Sequence, residues 1–574
     1  MNEIEELYEK LVKYYSGFYV LPTVYLERRI AELQKLGYSR EEAIVKLYEE
    51  VFGRVEIKAE RPRPQPYEKE RPEIRVTRRG ILDLLSYSYN AYTRNPCLVL
   101  PVVFKDSINY TSSALIFVIT LYTLNEAFKL GIPLKLKGLS EVKYLLAIIQ
   151  ENLYTIVVVG TLLLCGIILV RVVASSVYWS MIVSSSLKLY KRERVTLKDI
   201  VDSLRVFSRV FRAELVAESI RISGLVPTLI LIVYMLSNLK ALLVSPFSFL
   251  AAILTILLML LIFILAYLTL FMLTIYVPHE VIVSNKGVLA AISGSFKVFK
   301  KSWLQVILYV ILWLATLFCA GIVSGVFELI HISLYTLMSF IVTVIVIPIL
   351  DVSLTGVYLQ HVGWEIEVWS KPGRVLDMLK RYIRDSLREL LNFVRRPENM
   401  PFITIAIVIF MTFYALGIHL GNTQFTPLMS RIVRPGELSS LLRRIIPFSL
   451  ALEIFFNNWK VAMTSSLGGL FYVVPPLATS LNGLMLGLVA SRLKLFEFLA
   501  LIMPHGCIEL PAFILAIAAG IKFSFITVVR RTKVSETLRE TTLIAIGLAM
   551  PLIIAAFIEA FVTPQLARIL LGWS

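Results

Sequence analysis

FSFLAAILTILLMLLIFILAYLTLFMLTIYV, residues 247–277, contains no Asp, Glu, Lys or Arg. As a helix, roughly 20 apolar residues cross a hydrocarbon core about 30 Å thick. Water is absent there, so a spanning segment must satisfy its own backbone hydrogen bonds. A helix does this and an isolated strand does not. This run predicts a transmembrane helix, and similar runs recur along the chain. Of 574 residues, 57% are hydrophobic, and the mean hydropathy is +0.74. The expected fold is all-α: a polytopic helical membrane protein of about eleven spans in two bundles.

The first membrane region, residues 74–396, is read as spans near 112–130, 145–170, 219–239, 247–277, 303–330 and 332–362. A shorter amphipathic piece at 80–104 precedes them. The second, residues 397–574, is read as spans near 401–420, 446–474, 476–491, 495–521 and 541–562. Ahead of both lies a small helical segment, residues 1–58, expected in the cytoplasm. There Gly37 can end one helix, and Ser39 followed by Glu42 fits a capping box that starts the next. Residues 59–73, AERPRPQPYEKERPE, read as an extended linker rich in proline and charge. The N-terminus is charged and has no apolar core of the signal-peptide kind, so a cleaved signal is not expected.

The net charge is +17. In a membrane protein, basic residues gather in cytoplasmic loops, where they also meet anionic headgroups; nucleic acid is not expected as a partner. Residues 187–212 and 371–396 each hold eight Lys or Arg, and residues 522–540 add Lys522, Arg530, Arg531, Lys533 and Arg539. A cytoplasmic N-terminus puts all three segments inside and the C-terminus outside. Arg431, Arg434, Arg443 and Arg444 then fall on the outer side, against the trend. Cys97, Cys165, Cys319 and Cys507 have neither metal-ligand nor disulfide spacing.

SYNAYTR (88–94), SLRVFSR (203–209) and SFKVFKK (295–301) share Ser, then Ala or Val, then an aromatic and a base. Each precedes an apolar run, which predicts a repeated interfacial helix. This pattern over 80–365 resembles the membrane domain associated with glycerophosphodiester phosphodiesterases, without any catalytic residues.

The second region carries the polar groups. LIMPHGCIELPAFILAIAAG, residues 501–520, is interrupted by Pro504, Gly506 and Pro511, which predicts a kink or two half-helices. His505 and Glu509 are four apart, on one helical face. Ionisable groups inside a span are costly and are candidates for function. Asn457, Asn482 and Glu559 lie in neighbouring spans, so a buried cluster of Asn457, Asn482, His505, Glu509 and Glu559 is expected. His505 and Glu509 are compatible with capping the break, with proton or ion coupling, or with headgroup binding. HxxxE without a second nearby histidine lacks the zinc-hydrolase pattern, and GxSxG, GxGxxG and Walker A motifs are absent. No metal and no cofactor are expected.

FNNWKVAMTSSLGG (456–469), LNGLMLG (481–487), PHGCIELPAF (504–513) and IEAFVTP (558–564) occur in order. Together, over about 398–565, they resemble the stage II sporulation protein M (SpoIIM) family. The resemblance implies a five-span domain that, in spore formers, acts with wall hydrolases during membrane and wall remodelling and has no catalysis of its own. The expected function is therefore a non-catalytic scaffold or envelope-remodelling component of the cell membrane, with lipids and envelope proteins as partners. Oligomerisation is compatible with this. The alternative is a transporter or channel-like protein for an ion or lipid, using the span around His505 and Glu509. An intramembrane hydrolase ranks last.

Overall fold

A computed structural model describes residues 3–15, 22–34, 38–52, 80–129, 152–238, 246–329, 334–369, 371–432, 447–529 and 533–571. Gly37, the linker at 59–73, and Arg434, Arg443 and Arg444 lie outside them. The chain forms two compact units, Met1–Arg71 and Pro72–Ser574.

The first unit contains α1 (Glu3–Tyr15), α2 (Pro22–Gln34) and α3 (Arg40–Phe52). Leu11, Leu26, Ile30 and Leu47 are its sealed core. The capping box forms in both directions: Ser39 N–H donates to Glu42 Oε2 at 2.8 Å, and Glu42 N–H to Ser39 Oγ at 3.2 Å. Two of the donors that a helix start leaves unpaired are thereby satisfied.

The second unit is built of helices, and its described residues include no β-strand, only an isolated bridge between Lys191 and Glu367. Its helices are α4 (Ile81–Arg94), α5 (Leu100–Lys129), α6 (Leu153–Leu189), α7 (Leu197–Asp202), α8 (Phe207–Ile222) and α9 (Leu225–Ser237). Then come α10 (Pro246–Thr274), α11 (Val277–Ile282), α12 (Val288–Leu329), α13 (Tyr335–Ile341), α14 (Ile347–His361) and α15 (Val375–Arg395). The C-terminal third supplies α16 (Met400–Asn422), α17 (Thr426–Ile432), α18 (Pro447–Leu467), α19 (Val474–Ala490), α20 (Leu495–Val529), α21 (Val534–Gly547), α22 (Ala549–Phe557) and α23 (Thr563–Leu571).

Among the described residues, eight helical stretches are long and apolar enough to cross a membrane, and a ninth if a pair bent by 48° at Ser223–Gly224 is one span. This is a multi-pass helical membrane protein. Each of the eleven expected spans has a helical counterpart. The two that fall short of that measure are α18, interrupted by Glu453, Asn457, Asn458 and Lys460, and α19, only 17 residues long.

Four spans share one construction: a helix seated at the span's foot, a break, then the span. The breaks are Asn95–Pro96 after α4, Ser223–Gly224 after α8, Ser302 within α12 (φ −121°, ψ 16°), and Pro397–Asn399 after α15. Two copies of the repeated sequence motif run directly up to the breaks at Asn95 and Ser302, whereas SLRVFSR lies at the turn that opens α8, well ahead of Ser223. The motif's serines, Ser88, Ser203 and Ser295, are all buried. Its aromatics, Tyr92, Phe207 and Phe299, pack against the main core rather than standing free at headgroup level. Tyr92 also donates to Val344 O at 2.5 Å, a carbonyl within a π-turn at Val342–Val346.

The change of pattern near 397 does not divide the second unit in space. Ser107 of α5 donates to Thr464 O of α18 at 3.1 Å, and Asn125 of α5 to Gln424 O at 2.9 Å. Glu453 of α18 accepts from the Thr336 amide at 2.9 Å. Small residues make the closest helix pairs. A Cβ at Gly487 of α19 would overlap the Tyr414 carbonyl of α16, and one at Gly469 would overlap the Gly520 carbonyl of α20.

Candidate functional site

The cluster forms where α20 meets the end of the last span. His505 and Glu509 stand one turn apart on α20. Glu559 comes from a π-turn, Ile558–Val562, set between α22 and α23. One ligand atom from each of the three lies within 4.8 Å of the others. His505 is buried, and both glutamates are half-buried. Thr563 Oγ1 sits 3.3 Å from His505 Nδ1, and Asn458 Nδ2 donates to Glu509 Oε1 at 2.9 Å. Two carboxylates at this spacing repel, and the low dielectric of a bundle strengthens that repulsion. Such a group holds together when a proton or a cation sits within it.

The structure brings together three of the five expected residues. Asn482 stands elsewhere, and Asn457 reaches the cluster only through Asn458. One residue is about 100° around a helix, so Asn458 faces Glu509 while Asn457 lines a cavity and its Nδ2 donates to Asn458 Oδ1 at 3.3 Å. Asn482 donates to Ala478 O of its own helix at 2.8 Å. Of the two outcomes expected at Pro504, Gly506 and Pro511, the pair of half-helices does not form: α20 runs continuously from Leu495 to Val529 with both prolines inside it. Each proline forfeits one ladder bond. Ala512, Ala516, Ala519 and Gly520 pack closely within the bundle, and the segment remains one span.

Residues 402–564 match the family described as Stage II sporulation protein M. The resemblance read from the motifs is thereby supported for that part of the chain. An uncharacterized protein of Methanocaldococcus jannaschii is 28% identical over 182 residues, which cover 29% of this chain and 98% of that protein. No solved structure gives a significant match. The resemblance of residues 80–365 to the phosphodiesterase-associated domain finds no counterpart in these comparisons.

The triad lies wholly within the SpoIIM-like region; a second polar site joins that region to the preceding one. Asp106 of α5 lies 3.7 Å from Lys460 of α18. They line a cavity of about 250 Å³ together with Thr336, Thr343, Asn457 and Thr464.

Sequence reasoning missed two buried polar networks in the region before the SpoIIM-like one. Asp351 of α14 accepts from Tyr178 and Tyr309, with Lys105 4.9 Å from the Tyr178 ring centre. Arg221 of α8 bridges Glu214 at 3.1 Å and Glu218 at 3.0 Å, and its Nε donates to Thr274 at 2.8 Å. The second was readable: Glu214, Glu218 and Arg221 are spaced i, i+4, i+7, on one face. Asp351 was readable as a lone acid in an apolar run, but its tyrosines come from distant spans.

The basic segments meet at one end of this unit. Both α7 and α15 pack against α21. Arg396 reaches Glu389 at 3.1 Å and Glu540 at 3.4 Å, and Lys522 pairs with Glu540 at 2.8 Å. On α15, Ser386 and Phe393 are buried, whereas Ile383 and Leu391 are exposed beside Arg381, Arg384 and Arg388.

Proposed function

We propose that this protein is a non-catalytic membrane scaffold that engages and reshapes the leaflet at its basic end. The observation that carries this reading is α15. Phe393 packs on the protein, whereas Val375, Leu379, Ile383, Leu391 and Val394 are exposed on a helix that also carries a row of arginines. A helix of this kind inserts its apolar edge among acyl chains while its bases bind anionic headgroups. The match to the SpoIIM family supports a role of this class. In this reading the basic end is cytoplasmic, as is the N-terminus, and the C-terminus is external. Its partners are anionic lipids and other envelope proteins; self-association and the absence of nucleic acid are part of the same proposal.

The test is reconstitution into vesicles with and without anionic lipid, imaged by electron cryomicroscopy. The wild-type protein should change vesicle size or shape only with anionic lipid. The triple variant Arg381→Glu/Arg384→Glu/Arg388→Glu should lose that effect while remaining folded. Vesicles indistinguishable from protein-free ones would remove the proposal.

A second reading, transport of an ion or a lipid headgroup, is favoured by the cavity that holds Asp106 and Lys460. Its test is flux into the same vesicles. Flux that depends on Asp106 supports it, and no flux of protons, common ions or labelled lipid sinks it.

A further inference from the structure

We infer that His505, Glu509 and Glu559 form a binding site for one divalent first-row transition-metal ion, which clasps α20 to the terminal helices. This departs from the expectation of no metal. HxxxE on one helix supplies two donors, and the third arrives 50 positions later from a π-turn, so spacing along the chain does not reveal the set.

Four observations carry the inference. First, the donors converge: one nitrogen and two oxygens lie within 4.8 Å of one another. Ligand bonds of about 2.0–2.2 Å around zinc put ligand atoms closer than this, within reach of rotamer adjustment. Second, among the described residues neither glutamate has a Lys or Arg within ion-pairing distance, so no side-chain cation balances the two carboxylates. Third, His505 is only 8% exposed, and one ring nitrogen faces Thr563 while the other makes no hydrogen bond. Fourth, Asn458 Nδ2 donates to Glu509 Oε1 at 2.9 Å. Outer hydrogen bonds of this kind orient metal ligands.

The donor chemistry narrows the ion. Imidazole with two carboxylates suits Zn²⁺, Mn²⁺ or Fe²⁺; an all-oxygen set would suit Ca²⁺ or Mg²⁺, and thiolates or thioethers Cu⁺. Glu559 sits in a π-turn, a local geometry often found where a side chain must be aimed. The ion would tie the last span to the one that carries the PHGCIELPAF motif, as a clasp and not as a reaction centre.

The test uses the full-length protein in detergent or nanodiscs. It is stripped with chelator, reloaded with Zn²⁺ or Mn²⁺, desalted, and assayed for metal by mass spectrometry. One ion per chain is expected, with a rise in melting temperature on loading. Co²⁺ in place of Zn²⁺ should give the visible d–d absorption of a nitrogen and oxygen site. Glu559→Gln and Glu509→Gln should lose stoichiometric metal while eluting as folded protein. Asn458→Ala should bind about 10–100-fold more weakly. Wild-type protein that retains no stoichiometric ion and gives no Co²⁺ absorption overturns the inference, as does a folded Glu559→Gln that binds as tightly as wild type. Should a variant fail to fold, the Co²⁺ spectrum of the wild-type protein decides alone.

Discussion

Asn458 of α18 donates to Glu509 of α20 across 2.9 Å, while its neighbour Asn457 faces the cavity between α5, α13 and α18. Two adjacent asparagines thus face different sites while Asn457 Nδ2 donates to Asn458 Oδ1 at 3.3 Å. Asn458→Ala should destabilise the protein by about 1–3 kcal/mol, because Glu509 loses its donor. Asn457→Ala should stay within about 0.5 kcal/mol. Thermal melting in matched detergent checks both, and equal effects would contradict the assigned faces.

Gly487 lies against the Tyr414 carbonyl, where a Cβ would overlap. Gly487→Ala should force α16 and α19 apart and cost about 1–3 kcal/mol. The readout is the folded fraction by size exclusion as temperature rises. Gly160, with open space around it, is the matched control: Gly160→Ala should have little effect.

Arg221 stands between Glu214 and Glu218, all three nearly sealed from solvent. Arg221→Met should cost about 3–5 kcal/mol, since it strands two buried carboxylates. Adding Glu214→Gln and Glu218→Gln should recover much of the loss. If the triple variant melts no higher than Arg221→Met, the ion network is not what holds α8 to α10.

In the first unit, the Arg40 guanidinium holds the Glu27 carboxyl below its usual range, helped by Tyr8. A lowered folded-state pKa means that the contribution is present above the unfolded pKa and is lost as pH falls through the folded one. Wild type should therefore lose its advantage over Glu27→Gln as pH drops below about 4.3. The pair is largely exposed, so the difference at neutral pH should stay under about 1 kcal/mol. Hydrogen exchange across 22–52, compared at matched pH, measures it.

Most spans were legible because a bilayer forces long apolar runs, and residues 247–277 leave no other reading. The Ser39–Glu42 capping box was legible for a similar reason: its two bonds lie within four residues. What escaped depends on which way a face points. Asn457 and Asn458 are equivalent in sequence and differ only by their angle about α18. Pro504 and Pro511 carried a strong break signal, but the signal records one lost hydrogen bond each and not the packing that offsets it. Tyr178 and Tyr309 reach Asp351 from two other helices, and no local pattern announces that. Of the five polar residues expected to cluster, His505, Glu509 and Glu559 do converge, as expected where charged groups are scarce enough inside spans to need one another.

The π-turn at Ile558–Val562 holds one residue more than an α-helical turn would. The wide turn takes up that surplus residue, so α23 keeps nearly the phase it would have after an unbroken α-helix. Removing a single residue from 558–562 should let the segment close as ordinary α-helix and leave Thr563, Arg568 and the rest of α23 facing nearly the same neighbours. Along this stretch a one-residue deletion is thus a local change: it re-aims Glu559 while the last helix keeps its seat.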